Sequence, residues 1–383
     1  MSQIAVQSLP LPQLTPERFF DLTQSSLLPP KRSIHNHCDP NRLDFTNSPL
    51  ASELLLRLNS AFLNVASIKQ LWDTKVGDAE SSGGFVPIQA ARCLEDFIRT
   101  HHFISAVNMA VRFERSLYPD RTLHCVDAGS GPFCLLALAA AMSDPNTKIT
   151  CIETSKKSAE LSSLLVTHLG LENQIEIKRC DALTYVAEQP LDLIMTETFA
   201  SGLFDELGTQ ICAHLSKYRA INGLTIPEHV LVKLGTSTEK RPQPLTHHYG
   251  PAVFHTWEQV KFHSSQKFNL SFRKGPLVKD EVELELDLAT LPLGKQHLFI
   301  ASDFELMGWR LSGYDSALSA PVQIATLDCQ QHLTGKLKVS YNFADERSQI
   351  QFSLEDSSDA EFFIVHAGLF NQLITLRKKR QDS

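Results

Sequence analysis

Leu123-His124-Cys125-Val126-Asp127-Ala128-Gly129-Ser130-Gly131-Pro132-Phe133 decides the fold. An apolar run of strand length ends in a turn broken by two glycines, and a helical pattern from Pro132 to about Met142 follows. Glycine lets the backbone turn tightly and approach a ligand closely. Downstream the same unit recurs: KITCIET (148–154), a helix over Lys156–Leu169, QIEIKRCDA (174–182), LDLIMTE (191–197), a helix from Leu207 to Tyr218, and GLTIPEHVLVKLG (223–235). Strands alternating with helices predict parallel pairing through right-handed crossovers, hence an α/β, doubly wound, Rossmann-like sheet.

Beyond about Thr236 the period changes to two. Phe268, Leu270 and Phe272 alternate with polar residues, as do Val282, Leu284, Leu286 and Leu288. Leu337, Val339, Tyr341 and Phe343 repeat the pattern, and after a turn at Ala344 to Ser348 so do Ile350, Phe352 and Leu354. Alternation of this kind predicts half-buried antiparallel strands forming a barrel or a sandwich. Upstream, residues 1 to about 50 are rich in Pro, Ser and Asn and read as irregular. Leu54, Leu55, Leu58, Phe62, Val65, Ile68 and Leu71 recur at helical spacing within Leu50 to Trp72. Glycines at 77, 83 and 84 end that pattern, and a second helix is expected from Ile88 to about Leu117. The expected organisation is an N-terminal extension, irregular then helical, over 1–80, a sheet domain over 81–227, and an antiparallel β-barrel-like domain over 228–383.

Composition bounds the function. The chain of 383 residues is longer than one core needs, and it is 43% hydrophobic and 21% charged, as globular proteins are. Its longest apolar stretch, Pro132 to Met142, is far below the ~20 residues of a membrane span. The N-terminus, MSQIAVQSLPLPQL, lacks a basic region and a sustained apolar core, so a cytoplasmic protein without membrane attachment is expected. A net charge of −7, with no Lys/Arg block before Arg377-Lys378-Lys379-Arg380, speaks against nucleic-acid binding. Eight cysteines without a CxxC pair predict reduced thiols rather than a disulfide framework or a zinc ribbon. His35-Asn36-His37-Cys38-Asp39 reads as a loop, since a metal site needs ligands from a second element, and no metal is expected. Trp72 and Trp309 read as core or contact residues.

The glycine turn has a carboxylate companion. Glu153 ends the second strand, 26 residues after Asp127, where it can accept hydrogen bonds from ribose hydroxyls, and Asp181, ending the third strand, is placed to contact an adenine edge. Pro132 and Phe133 stand where dinucleotide enzymes keep a third glycine for the pyrophosphate. S-adenosylmethionine, a nucleoside without pyrophosphate, is compatible with that bulk. At the end of the fourth strand, Glu197 precedes Glu206 by nine residues across a loop with little other charge. Two carboxylates facing one pocket need a cation between them, and a guanidinium, whose planar fork pairs bidentately, is the natural one. The alternative is a surface Glu followed by an acidic helix N-terminus.

In these residues the chain resembles the protein arginine methyltransferase family. Asp96-Phe97-Ile98-Arg99-Thr100 is similar to the family's helix before the sheet, which implies that Arg99 holds the carboxylate of S-adenosylmethionine. VDAGSG, with Asp127, Gly129 and Gly131, resembles the first methyltransferase motif, and Ile152-Glu153-Thr154-Ser155 the ribose-binding segment. Glu197 and Glu206 have the separation of the double-glutamate loop. Asn222-Gly223-Leu224-Thr225-Ile226-Pro227 resembles the turn that leads into the family's barrel-like domain. The chain departs from the family at Phe133, at the unaligned tyrosine segment near Gly84-Phe85, and at the wall of the arginine pocket. Ala320-Pro321-Val322-Gln323-Ile324 replaces the family's Thr-His-Trp loop there; His255-Thr256-Trp257 comes too early in the chain to do so. The resemblance implies a methyltransferase acting on a guanidino nitrogen of free arginine, a small guanidine, or arginine in a peptide or protein. Glu197 and Glu206 would be catalytic; Arg99, Asp127, Gly129, Gly131, Glu153 and Asp181 would hold the cofactor. It also implies a possible homodimer through an arm, for which residues 237 to 260 are the candidate. Open alternatives are a methyltransferase for a non-guanidine small molecule and a non-catalytic scaffold.

Overall fold

The computed structural model describes residues 97–203, 207–238, 260–272, 281–312, 316, 318–329, 334–343, 349–355 and 362–364. Outside them lie residues 1–80, including the helix expected over Leu50–Trp72 and the loop expected at His35–Asp39, together with Gly84-Phe85, His255-Thr256-Trp257, residues 239–259 of the candidate arm, Glu206, the turn expected at 344–348 and the terminal basic run.

The described chain starts in helix α1, Phe97–Leu117. Its residues Phe103, Ile104, Val107, Ala110 and Val111 fall at helical spacing and are buried, forming the face laid on the sheet. Then follow β1 (Leu123–Ala128), α2 (Leu135–Ser143), β2 (Thr147–Ile152), α3 (Lys156–Leu169), β3 (Ile175–Lys178), β4 (Leu191–Thr196), α4 (Gly208–Leu215) and β5 (Arg219–Ile226). Helix α2 is buried at every position, which explains its apolar composition on all sides. Helix α3 begins where Ser155 Oγ accepts from Ser158 N at 3.3 Å, and ends at Gly170 in the left-handed region, φ 69°.

The strands order as β3-β2-β1-β4-β5, every pair parallel. Winding runs outward from β1 to β3, then resumes on the other side of β1 with β4. The crevice between the carboxyl ends of β1 and β4 is therefore a topological switch point, where open α/β sheets bind ligands. Successive residues of β4 face opposite ways: Leu193 and Met195 join the larger core, Ile194 the smaller core with Val126, Ala128, Ile211 and Leu215. Both faces are covered, as parallel sheets require.

The stretch 223–235 spans the expected boundary at 227/228 and holds two strands, with residues 222–226, expected as a turn, belonging to the first of them. β5 ends at Ile226 in the parallel sheet, and β6 (His229–Ser237) starts in another. Pro227 between them has no N–H to continue a ladder, so the chain changes sheets there. β6 joins a six-stranded sheet with β7 (Lys261–Ser271), β9 (Gly294–Leu306), β10 (Trp309–Leu311), β11 (Val322–Cys329) and β14 (Phe362–Ile364). β8 (Glu281–Asp287), β12 (Lys336–Asn342) and β13 (Gln349–Glu355) form a separate three-stranded sheet. These pairs are antiparallel. Leu284, Leu286, Leu337, Val339 and Tyr341 are buried, as their alternation predicts. β9 was not evident from period two: it lies between β6 and β11, and from Gln296 to Phe304 each residue is buried. Among the described residues no helix is long and apolar enough to cross a membrane.

Candidate functional site

Three loops meet at the switch point. The first follows β1. Gly129 and Gly131 adopt φ 70° and 62°, the left-handed region that glycine enters without steric cost. A Cβ on Gly129 would lie 2.2 Å from Thr198 Cγ2, so the glycine also admits the β4 loop. Cys134 takes a left-handed φ of 40° as helix α2 begins, and Phe133 is buried beside it. Asp127 is buried with Oδ2 accepting from Ala137 N at 3.0 Å, which ties the strand end to α2. Burial pushes its carboxyl up to about 7 despite that bond, with the negative charges of Glu197 and Glu153 adding to the shift.

The second loop follows β2. Glu153 is buried and bridges the loops: Oε2 accepts from Gly131 N at 2.8 Å, and Oε1 from Ser155 N at 2.7 Å. Burial raises its carboxyl, and these backbone donors oppose the rise. Asp181, expected at the end of the third strand, lies beyond it: β3 stops at Lys178, and Asp181 sits on the exposed turn that follows, where Oδ1 accepts from Leu183 N at 2.9 Å.

The third loop follows β4 and carries Glu197. Thr196 Oγ1 donates to Ala128 O at 2.8 Å, which uses its one proton; the 2.7 Å bond to Thr198 Oγ1 is therefore donated by Thr198. This relay fastens both neighbours of Glu197 to β1. Phe199 then packs between Phe304 and Phe272 at centroid distances of 5.5 and 6.1 Å. Gly202 N donates to Ser302 Oγ at 3.0 Å, and Ser201 Oγ donates to Ala320 O. The Glu197 loop is thus held by the parallel sheet on one side and by the six-stranded sheet on the other. Ala320, which opens the stretch expected to replace a pocket wall, meets this loop through its carbonyl oxygen.

Arg99, in the first turn of α1, closes the site. It is buried; Nε donates to Glu197 Oε1 and Nη2 to the Glu197 backbone oxygen at 3.2 Å. Arg99 was expected on a cofactor carboxylate, and Glu197 on an acceptor guanidinium. Here each holds the other. Next along α1, His101 and His102 meet Trp309 edge-on at 6.0 and 5.3 Å, joining α1 to β10. Burial, then the neighbouring His102, brings His101 down to about 4, which keeps its imidazole neutral at pH 7.

The structure therefore brings together Arg99, Asp127, Gly129, Gly131, Glu153 and Glu197, leaves Asp181 on a neighbouring turn, and does not describe Glu206. The sequence reading missed Thr196, Thr198, Phe199 and Ser302. The Thr-Glu-Thr pattern around Glu197 was a usable signal; Ser302, a hundred residues away, gave none.

No protein-family model matches the chain, and no curated protein does. Among solved structures it is similar to Arabidopsis thaliana protein arginine methyltransferase 10, whose crystal structure shows a uniquely open conformation. The identity is 11% over 69% of this chain and 96% of that one, with a TM-score of 0.44.

Proposed function

We propose that the protein is an S-adenosylmethionine-dependent methyltransferase whose acceptor is a guanidino nitrogen of arginine, free or in a peptide. The observation that carries this reading is Glu197 at the switch point with a guanidinium, that of Arg99, already on its carboxylate. A site that binds one guanidinium there has the charge and donor complementarity for another. The residues fit the cofactor. Gly129 and Gly131 leave the turn without side chains, Glu153 offers oxygens near it, and the surrounding carboxylates suit a sulfonium cation. When bound, S-adenosylmethionine supplies an electrophilic methyl group.

The chain's own task is then positioning. Glu197, with Glu206 as its proposed partner, fixes the plane of the acceptor and accepts its N–H bonds. A free guanidinium has a pKa above ~12, so its proton leaves at or after methyl transfer, with Glu197 stabilising the charge that moves. Asp127 holds the turn to α2, and Asp181 borders the adenine side. We read the two antiparallel sheets as one barrel-like wall, with Ala320 at the acceptor side in place of an aromatic.

The test has two parts. Calorimetric titration with S-adenosylhomocysteine should show binding; a scaffold with a degenerate site would show none. Labelled methyl transfer to free arginine, an arginine-rich peptide and non-guanidine amines should go to the first two. Transfer to the amines alone would end the guanidine reading.

A further inference from the structure

We propose that the outer face of α1 is the docking surface for this chain's own segment 50–72, which lies outside the described residues and whose sequence pattern is that of an amphipathic helix. The inference is independent of the methyltransferase reading. Met109, Phe113 and Leu117 stand at i, i+4 and i+8 of α1 and are 38%, 47% and 47% exposed, so they form one stripe rather than scattered surface residues. The other face of α1, with Phe103, Ile104, Val107 and Val111, is already used on the sheet. A helix apolar on both sides calls for a neighbour on each. Arg112 lies on the same stripe, and its Nη1 is buried without an acceptor, so the outer face lacks a polar partner as well as an apolar one. Past Leu117, Asn222 Nδ2 donates to Tyr118 OH at 3.0 Å, which brings β5 and its fully exposed Ile221 to the same end of the helix.

Pattern, reach and tethering choose the occupant. Leu54, Leu58, Phe62, Val65 and Ile68 recur at helical spacing, and such a face has to be buried. The chain between the two helices is long enough. With Ala61 set over Phe113 and the helices antiparallel, Trp72 falls ~16 Å back along α1, about level with His102. From that level to Ile88, where the second helix is expected to begin, is ~21 Å, and residues 73–87 span up to ~50 Å. Asn59 and Asn64, on either side of Phe62, offer amide oxygens at the level of Arg112. Tethering favours this segment over a second copy of the chain, because a flexible link gives an effective concentration on the order of millimolar, against micromolar for a separate molecule. The docked segment covers α1 from outside as the sheet covers it from inside, and so braces the helix whose first turn carries Arg99.

Photocrosslinking in the full chain tests the assignment. With p-benzoylphenylalanine in place of Phe113, irradiation should attach α1 to a peptide from 50–72 in a product of single-chain mass. A mixture of isotopically light and heavy chains should give no link between the two. Hydrogen exchange supplies the second readout. Phe113→Asp should speed amide exchange within 50–72 about ten- to a hundredfold, the factor that burial of one large apolar side chain supports, while β1 and α2 keep wild-type protection. Phe62→Asp should have the same effect from the other partner, and Val186→Asp, at an exposed apolar residue away from α1, should have none. A light-to-heavy link overturns the proposal and makes this face an interface between copies. A link to residues 237–260, or no link, overturns it as well, and so does exchange in 50–72 that Phe113→Asp leaves at the wild-type rate.

Discussion

Strand β4 has an arginine–carboxylate pair at each end, and the two pairs behave differently. At its amino end Asp192 accepts from Arg121 Nη2 and from His124 N at 2.9 Å. Beyond its carboxyl end Glu197 accepts from Arg99. The chemistry is the same, but the Asp192 side chain is 2% exposed and bonded to the backbone of β1, whereas that of Glu197 is 21% exposed and faces the switch point. One pair pins the sheet; the other stands where a ligand can replace either member. Residue type therefore does not separate a structural pair from a functional one. Its place along the strand does.

The sharpest way to break this comparison is to remove the two charges separately. Glu197→Gln should lower the proposed methyl transfer per folded molecule by about 10²- to 10⁴-fold, roughly 3–5 kcal/mol of barrier, and should also lower stability, because the buried Arg99 guanidinium loses its carboxylate. Asp192→Asn should cost about 3 kcal/mol in urea unfolding with turnover per folded molecule unchanged. If turnover per folded molecule fell alike in both variants, the pairs would be equivalent and the distinction wrong.

Glu114 sharpens the amino-end side. It is 1% exposed on α1, neither carboxyl oxygen has a hydrogen-bond partner among the described residues, and burial, with Asp192 adding, pushes it up to about 7. Its folded-state value lies above the unfolded one, so its contribution is complete below pH ~4.5 and is lost as pH rises through about 7. Glu114→Gln mimics the neutral form. It should match the wild type near pH 4.5 and exceed it by roughly 2–3 kcal/mol at pH 8, measured by urea unfolding at both pH values.

Ser302→Ala should cost about 1–2 kcal/mol, because it leaves the buried Gly202 N–H without its acceptor, and should lower kcat more than it raises KM if the anchor aims Glu197. Steady-state kinetics beside a melt separates the two. Arg121→Lys should be the mildest, below about 1 kcal/mol, since the Arg121 side chain is half exposed and a lysine can keep the charge near Asp192.

Much of the parallel sheet was legible because local signals agree there. The apolar runs, the glycine turn and the helix periods each marked an element, and β1, β2, β4, α3 and α4 fall where they were expected. Legibility ended where long-range contacts decide. That residues 222–226 form an edge strand of the parallel sheet rather than a turn depends on pairing with β4, and β9, buried between two neighbours, loses the alternation that announces a half-exposed strand. Within the site, residue types and strand-end positions were readable, but partners were not. Arg99 and Glu197 are 98 residues apart, and only the packing of α1 over the switch point puts them together.

The sequence by itself determined the α/β architecture, the glycine turn and the carboxylates at the strand ends, because period and turn chemistry are local properties of the chain. The tertiary structure alone decided which charges face one another. It gave Asp192 to the scaffold, put Glu153 on the backbone of Gly131 and Ser155, and placed the guanidinium of Arg99 on Glu197. The physical reason is that an ion pair is set by separation and burial in space, and sequence distance encodes neither.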